Sequence, residues 1–247
     1  MATLSKPDRP SRQLPGRRYD HLFFASMVVL LVASVLVGFA HTYYLAGVFR
    51  APLRSPILQI HAAVFSSWML LLLVQATLVS AHRVDIHRKL GILGCGVACL
   101  LVVFGILAAW DSLSRLDDHA PGWILSFSIT PFGDMFIFAV LSGWAFGARA
   151  DSPWHKRLIV LATIALMRAA IFRWPFAFVF HNQLRAIAIS YLFVLLVVAY
   201  DLWSMHKIHR ATLWGTLLMA LVQIVRVPIG QTGAWHFFAR WFGSLGL

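Results

Sequence analysis

The chain is short of what soluble enzymes are usually read by. Of 247 residues only nine are Asp or Glu, against 21 Lys and Arg, and two are cysteine. Cys95 and Cys99 both fall inside an apolar run, so they supply no disulfide framework and say nothing about redox compartment. Charged residues make up 12% of the chain, and no polar stretch is long enough to form a second, soluble domain. No catalytic or cofactor motif of high specificity is present.

Apolar residues are what the chain has in excess, at 60%. They gather into seven stretches, at roughly 22–45, 57–80, 90–110, 123–147, 157–180, 186–204 and 212–232. A hydrocarbon core about 30 Å thick needs about 20 apolar helical residues per crossing. A soluble domain of this size has no interior large enough for that much apolar surface. The expectation is an all-α, polytopic transmembrane helical bundle of about seven spans over residues 21–247. Residues 1–20, basic and proline-containing, read as a disordered cytoplasmic tail. The tail resembles the start of a signal peptide. The apolar run after it is too long and lacks a small-residue cleavage site, so the first helix is expected to be retained.

A formal charge of +12 raises nucleic acid as a partner, but the basic residues lie between the apolar stretches, where topology accounts for them. With the N-terminus in the cytoplasm, thirteen Lys and Arg fall on that side, from Lys6 to Arg210. Five fall on the other: Arg50, Arg54, Arg115, Arg185 and Arg240. The remaining three, Arg168, Arg173 and Arg226, sit within expected spans, as does Asp134. The division favours N-terminus in and C-terminus out.

Charges at membrane depth are costly and mark partners, cavities or pathways. Counting from the outer ends of the spans puts Asp134 and Arg168 at one depth near the midplane, which suggests a structural ion pair. Pro131, Pro175 and Pro228 stand two or three residues from Asp134, Arg173 and Arg226. A proline within a helix frees a carbonyl and bends it, so a polar pocket in the outer half is expected.

His41 and His61 fall near the outer ends of the first two spans. On the second span His61, Phe65, Trp68, Leu72 and Gln75 share one stripe by their spacing. Two histidines and the arginines Arg173 and Arg226 at similar depth read as axial ligands and propionate partners of a b-type haem, or as ligands of a metal. The same arginines suit an anionic small molecule or lipid headgroup, to be bound or transported. The next histidine after His61 on that segment is His82, so only one haem layer is conceivable. A second group, His82, His87, His155, His206 and His209, would lie at the cytoplasmic face with His21, as metal ligands or as a basic rim touching headgroups. It lacks the adjacent histidine pairs of di-iron membrane desaturases. Gly91, Gly94, Cys95, Ala98, Cys99 and Gly105 on the third span read as small residues for close helix packing.

Four stretches stand out together: His87-Arg88-Lys89-Leu90-Gly91, His155-Lys156-Arg157-Leu158, Tyr200-Asp201-Leu202, and His209 to Gly215. With them the chain, from about Ile60 onward, resembles a family of bacterial multi-pass inner-membrane proteins that has no assigned activity. The resemblance implies a bacterial inner-membrane location and carries no catalytic residues. The leading expectation is a haem- or metal-binding redox protein with its site in the outer half. The alternatives are anion binding or transport by the intramembrane arginines, and a His-rich metalloenzyme at the cytoplasmic face.

The charge division makes one direct prediction. A reporter fused after Leu247 is expected to behave as periplasmic; a cytoplasmic signal there would remove one of the seven crossings.

Overall fold

The computed structural model describes residues 19–52, 55–117 and 119–246, and every regular element among them is helical. The tail expected at residues 1–20 therefore lies almost wholly outside the described residues. In chain order the helices are α1 (Asp20–Phe39), α2 (Pro56–Ser80), α3 (Val84–Ser114), α4 (Gly122–Phe127), α5 (Ile129–Gly147), α6 (Ser152–Ile171), α7 (Gln183–Met205), α8 (Arg210–Gly230) and α9 (Gly233–Ser244). A π-helical turn, Ala40–Tyr44, continues α1. Six segments are long and apolar enough to cross a membrane: Asp20–Tyr44, Pro56–Ser80, Val84–Ser114, Gly122–Gly147, Gln183–Met205 and Arg210–Gly230.

Helix starts follow the local chemistry. Ser55 caps α2 with Pro56 at its first position, and Asp151 caps α6, its carboxylate accepting the Trp154 N–H. Asn182 and Thr232 cap α7 and α9 in the same way. Prolines mark helix ends more than kinks. Pro131 is in the first turn of α5, where its missing N–H costs nothing, and Pro175 lies beyond the end of α6. Among the described residues only Pro228 lies beyond the first turn of a helix, two residues before α8 ends. The fifth apolar stretch therefore ends as a helix at Ile171, and residues 172–182 are turns. Arg173 consequently sits just past α6 and not within it.

α6 is the axis of the bundle. Fourteen of its 20 residues are buried, and α1, α5, α7 and α8 pack around it. That explains why α6 is missing from the six apolar segments. A helix that meets protein on all sides needs no uniformly apolar surface, provided each polar group finds a partner. At Gly38 the α1 backbone comes so close to α6 that an added Cβ would stand 2.2 Å from the Ala170 carbonyl oxygen. Large apolar side chains such as Leu70, Ile92, Leu192 and Ile224 are exposed around the outside. Exposed aromatic residues gather at both ends: Tyr19, Trp144, Trp203 and Trp214 at the end where α1 begins, and Trp123, Phe178, Phe237 and Trp241 at the opposite end. Apolar flanks with aromatic rims are the surface a multi-pass membrane protein presents to lipid.

The end at which α1 and α6 begin, here the near end, is tied by a buried polar network. Arg157 on α6, 1% exposed, donates from Nε and Nη2 to Oδ1 of Asp201 on α7 at 2.9 and 2.6 Å. Oδ2 of Asp201 accepts the Thr212 hydroxyl at 2.6 Å and the His209 N–H at 3.0 Å, and Nη1 of Arg157 donates to the Pro153 carbonyl. Asp20 on α1 pairs with Lys156 and accepts the Tyr200 hydroxyl at 2.5 Å. Burial first, and then the Arg157 charge, hold the His209 imidazole below its ordinary pKa. Its neutral form lets Nδ1 accept the Ala211 N–H at 3.0 Å and cap α8.

Removing one member of a buried, hydrogen-bonded ion pair leaves an uncompensated charge. Asp201→Ala is expected to cost about 3–5 kcal/mol in denaturant titrations of the micellar protein. Arg157→Met with Asp201→Leu should recover much of that. Lys156→Ala, at a partly exposed pair, should cost under about 1 kcal/mol.

Candidate functional site

Three helices meet at one carboxylate. Asp134 on α5 accepts from Nη2 of Arg168 on α6 at Oδ2 and from Nη1 of Arg226 on α8 at Oδ1, each at 2.6 Å. All three are nearly inaccessible, at 6%, 7% and 7% exposure. Asp134 is 13 residues from the near end of α5, and Arg168 and Arg226 are each 16 from the near ends of α6 and α8. At about 1.5 Å per residue they share a level roughly 20–24 Å from the near end, in the far half of the bundle. Two guanidiniums thus share one carboxylate. Nε of Arg168 is buried without a hydrogen-bond partner among the described residues, and its guanidinium faces the Phe127 ring at 5.8 Å.

A cavity of about 390 Å³ opens beside this triad. Asp134 and Arg168 line it, with Arg173, which donates to the Ala169 carbonyl at 2.6 Å and stands 5.2 Å from the Phe39 ring. From α2 come His61, Phe65 and Ser66. The Nδ1 of His61 is a second buried nitrogen without a partner among the described residues. The π-helical turn supplies Thr42, Tyr43 and Tyr44, and the Tyr44 and Ser66 hydroxyls are hydrogen-bonded at 2.9 Å. The cavity owes its space to α3, which presents Gly105, Ala108, Ala109 and Ser112 on one stripe. Small residues at that spacing leave room where Leu or Phe would fill it.

His61 and Arg173 therefore border one cavity, while Arg226 lies behind it and acts on it through Asp134. His41 does not line it: it is exposed and its ring lies tilted against Phe49 with centroids 4.0 Å apart. The physical reason is the π-helical turn. Its wider winding rotates residues after Ala40 off the face that α1 presents to the bundle, so Thr42 and Tyr43 point where His41 was expected. This arrangement does not offer His41 and His61 as two axial ligands of a haem. The expected stripe on α2 also divides. His61 and Phe65 reach the cavity, Trp68 and Leu72 are in the core, and Gln75 donates to the His87 carbonyl at 3.2 Å near the opposite end.

The near-end histidines serve helix ends more than one centre. His82 and His206 occupy left-handed backbone positions beyond the ends of α2 and α7, and His209 caps α8. His155 makes a hydrogen bond through Nδ1 with the Ala145 carbonyl oxygen at 2.8 Å and faces His87 with ring centroids 6.3 Å apart. Among the described residues no group of three or more His, Cys, Asp or Glu side chains is arranged to hold a metal ion. Cys95 and Cys99 are exposed on α3 and do not serve helix packing.

Sequence reasoning passed over the cavity's tyrosines and its α3 wall. The signal was present in Gly105, Ala108, Ala109 and Ser112, small residues at helical spacing opposite an intramembrane charge. No protein-family model matches this chain, and neither curated proteins nor solved structures give a match.

The shared carboxylate orders the costs of substitution. Asp134→Ala leaves two buried guanidiniums without it and is expected to cost about 3–5 kcal/mol in denaturant titrations. Arg226→Ala leaves Asp134 still paired with Arg168 and should cost clearly less, with strong coupling to Asp134→Ala in a double-mutant cycle. Additive losses would show that the three residues do not act as one unit.

Proposed function

We propose that the protein binds an anionic small molecule in the far-half cavity, and that the arginines there form its recognition element. One observation carries the reading: in a buried cluster beside the cavity, two guanidiniums share a single carboxylate, and a third, Arg173, borders the same space. The cluster thus holds an excess of positive charge at a depth where an uncompensated charge is costly, and an anion offsets it. Guanidinium is suited to the task because its planar N–H fork matches carboxylate and phosphate oxygens. A volume of about 390 Å³ is within the range of small-molecule sites.

The surrounding arrangement fits a membrane carrier or receptor for that anion. In this reading α6 is a seventh crossing, enclosed by α1, α5, α7 and α8. The Lys- and Arg-rich near end faces the cytoplasm, the cavity opens toward the other side, and the membrane is a bacterial inner membrane. A haem or metal redox role is the lesser reading, because it draws on His61 alone of the two outer histidines.

The test is calorimetric titration of the full chain in zwitterionic nanodiscs with benzoate, octanoate and inorganic phosphate. At least one should bind, and Arg173→Gln should weaken it by about tenfold to a hundredfold, the worth of a charge-assisted hydrogen bond. His41→Ala, on the exposed π-helical turn, should leave the affinity unchanged. No binding of any of the three anions would overturn the proposal.

A further inference from the structure

The lining of the cavity is divided between charge and hydrocarbon. Asp134, Arg168, Arg173 and His61 supply its charges and ring nitrogens, while Phe39, Phe65, Ala108, Ala109, Met135 and Leu166 make much of the remaining wall apolar. Two buried nitrogens of the lining, Nδ1 of His61 and Nε of Arg168, are without partners among the described residues and belong to the charged part. A fully hydrated inorganic ion would leave the apolar wall unmatched, and an uncharged hydrocarbon would leave the guanidiniums unmatched.

Resting on the anion-site reading, we infer that the ligand is a monocarboxylate with an apolar body, its head held beside Arg168, Arg173 and His61 and its body lying against the apolar wall at Phe65, Ala109 and Met135. A single charge is favoured because the cost of taking an ion out of water grows with the square of its charge, and a carboxylate still presents two oxygens to a guanidinium fork. An apolar cavity of about 150 Å³ holds one benzene, so this one has room for roughly two rings or a chain of about eight to ten carbons. A soluble organic acid and a free fatty acid drawn from the membrane share this chemistry.

The experiment is a chain-length series, acetate, butyrate, octanoate, decanoate and hexadecanoate, with inorganic phosphate, titrated into the full chain in zwitterionic nanodiscs. Affinity is expected to rise by about fourfold per methylene up to roughly eight to ten carbons and then to stop rising. Phosphate should bind more weakly than octanoate by tenfold or more. Ala109→Phe fills space along the apolar wall and should shift the break to shorter acids, whereas Arg173→Gln should weaken every acid by a similar factor. Unfolding midpoints of both variants, measured in the same nanodiscs, identify any loss that comes from misfolding. A series in which acetate, octanoate and phosphate bind alike would overturn the monocarboxylate assignment and leave the anion site standing. So would an Ala109→Phe protein that stays folded with an unchanged profile. A rise that continues unbroken to hexadecanoate would place the tail in the bilayer and overturn the enclosed body. Silence from all six would instead overturn the anion site itself.

Discussion

Every cation on the enclosed helix α6 has to find its partner on another helix, and most of the architecture follows from that requirement. Lys156, Arg157 and Arg168 reach to α1, α7 and α5 in turn. Each pair joins α6 to a different neighbour, so charge pairing and helix arrangement are one problem with one solution. The two buried clusters solve it differently. At the near end the Asp201 carboxylate is used fully, by Arg157, Thr212 and the His209 N–H, and nothing is left over. In the far half one carboxylate serves two arginines and a guanidinium nitrogen is left over. The first cluster is closed as a structural joint, whereas the second holds more positive than negative charge beside a cavity.

The class of the molecule was legible from the long apolar runs, and the depth argument led to Asp134 and Arg168. What it missed has physical causes. Hydropathy continues through Phe172, Trp174 and Phe176, so the fifth stretch looked longer than the helix that forms from it, and Arg173 looked buried in a span. Arg226 was grouped with Arg173 in the outer-half site, whereas it pairs with Asp134 behind the cavity. Arg157 looked like a loop charge from composition alone, because nothing local reveals that Asp201, 44 residues later, is its partner. His41 was lost to a change of helical winding that no side-chain pattern announces. α9 went unanticipated because its apolar residues serve two faces: Trp235 and Phe242 pack on the bundle, while Phe237 and Trp241 are exposed.

The four stretches noticed in the sequence find a common explanation at the near end. His155 reaches the Ala145 carbonyl, Lys156 and Tyr200 meet at Asp20, and Arg157, Asp201, His209 and Thr212 form one network. The His87 carbonyl accepts from Gln75, and the His87 ring faces His155. A pattern that looked like a set of metal ligands is thus largely a set of fastenings between helix ends. The cavity and its arginines lie toward the other end, in positions that no short motif singled out.

The enclosure of α6 also bears on how the chain is made. A segment with two buried arginines and a lysine offers little to the lipid beside a translocon, so by itself it is a poor candidate for release into the bilayer. Its charges become acceptable only once Asp134 of α5 and Asp201 of α7 stand beside it. One of those partners is synthesised before α6 and the other after it. The buried pairs of α6 can therefore be completed only after α7 has been synthesised, so the axis of the bundle is among the last parts of the fold to have all its partners.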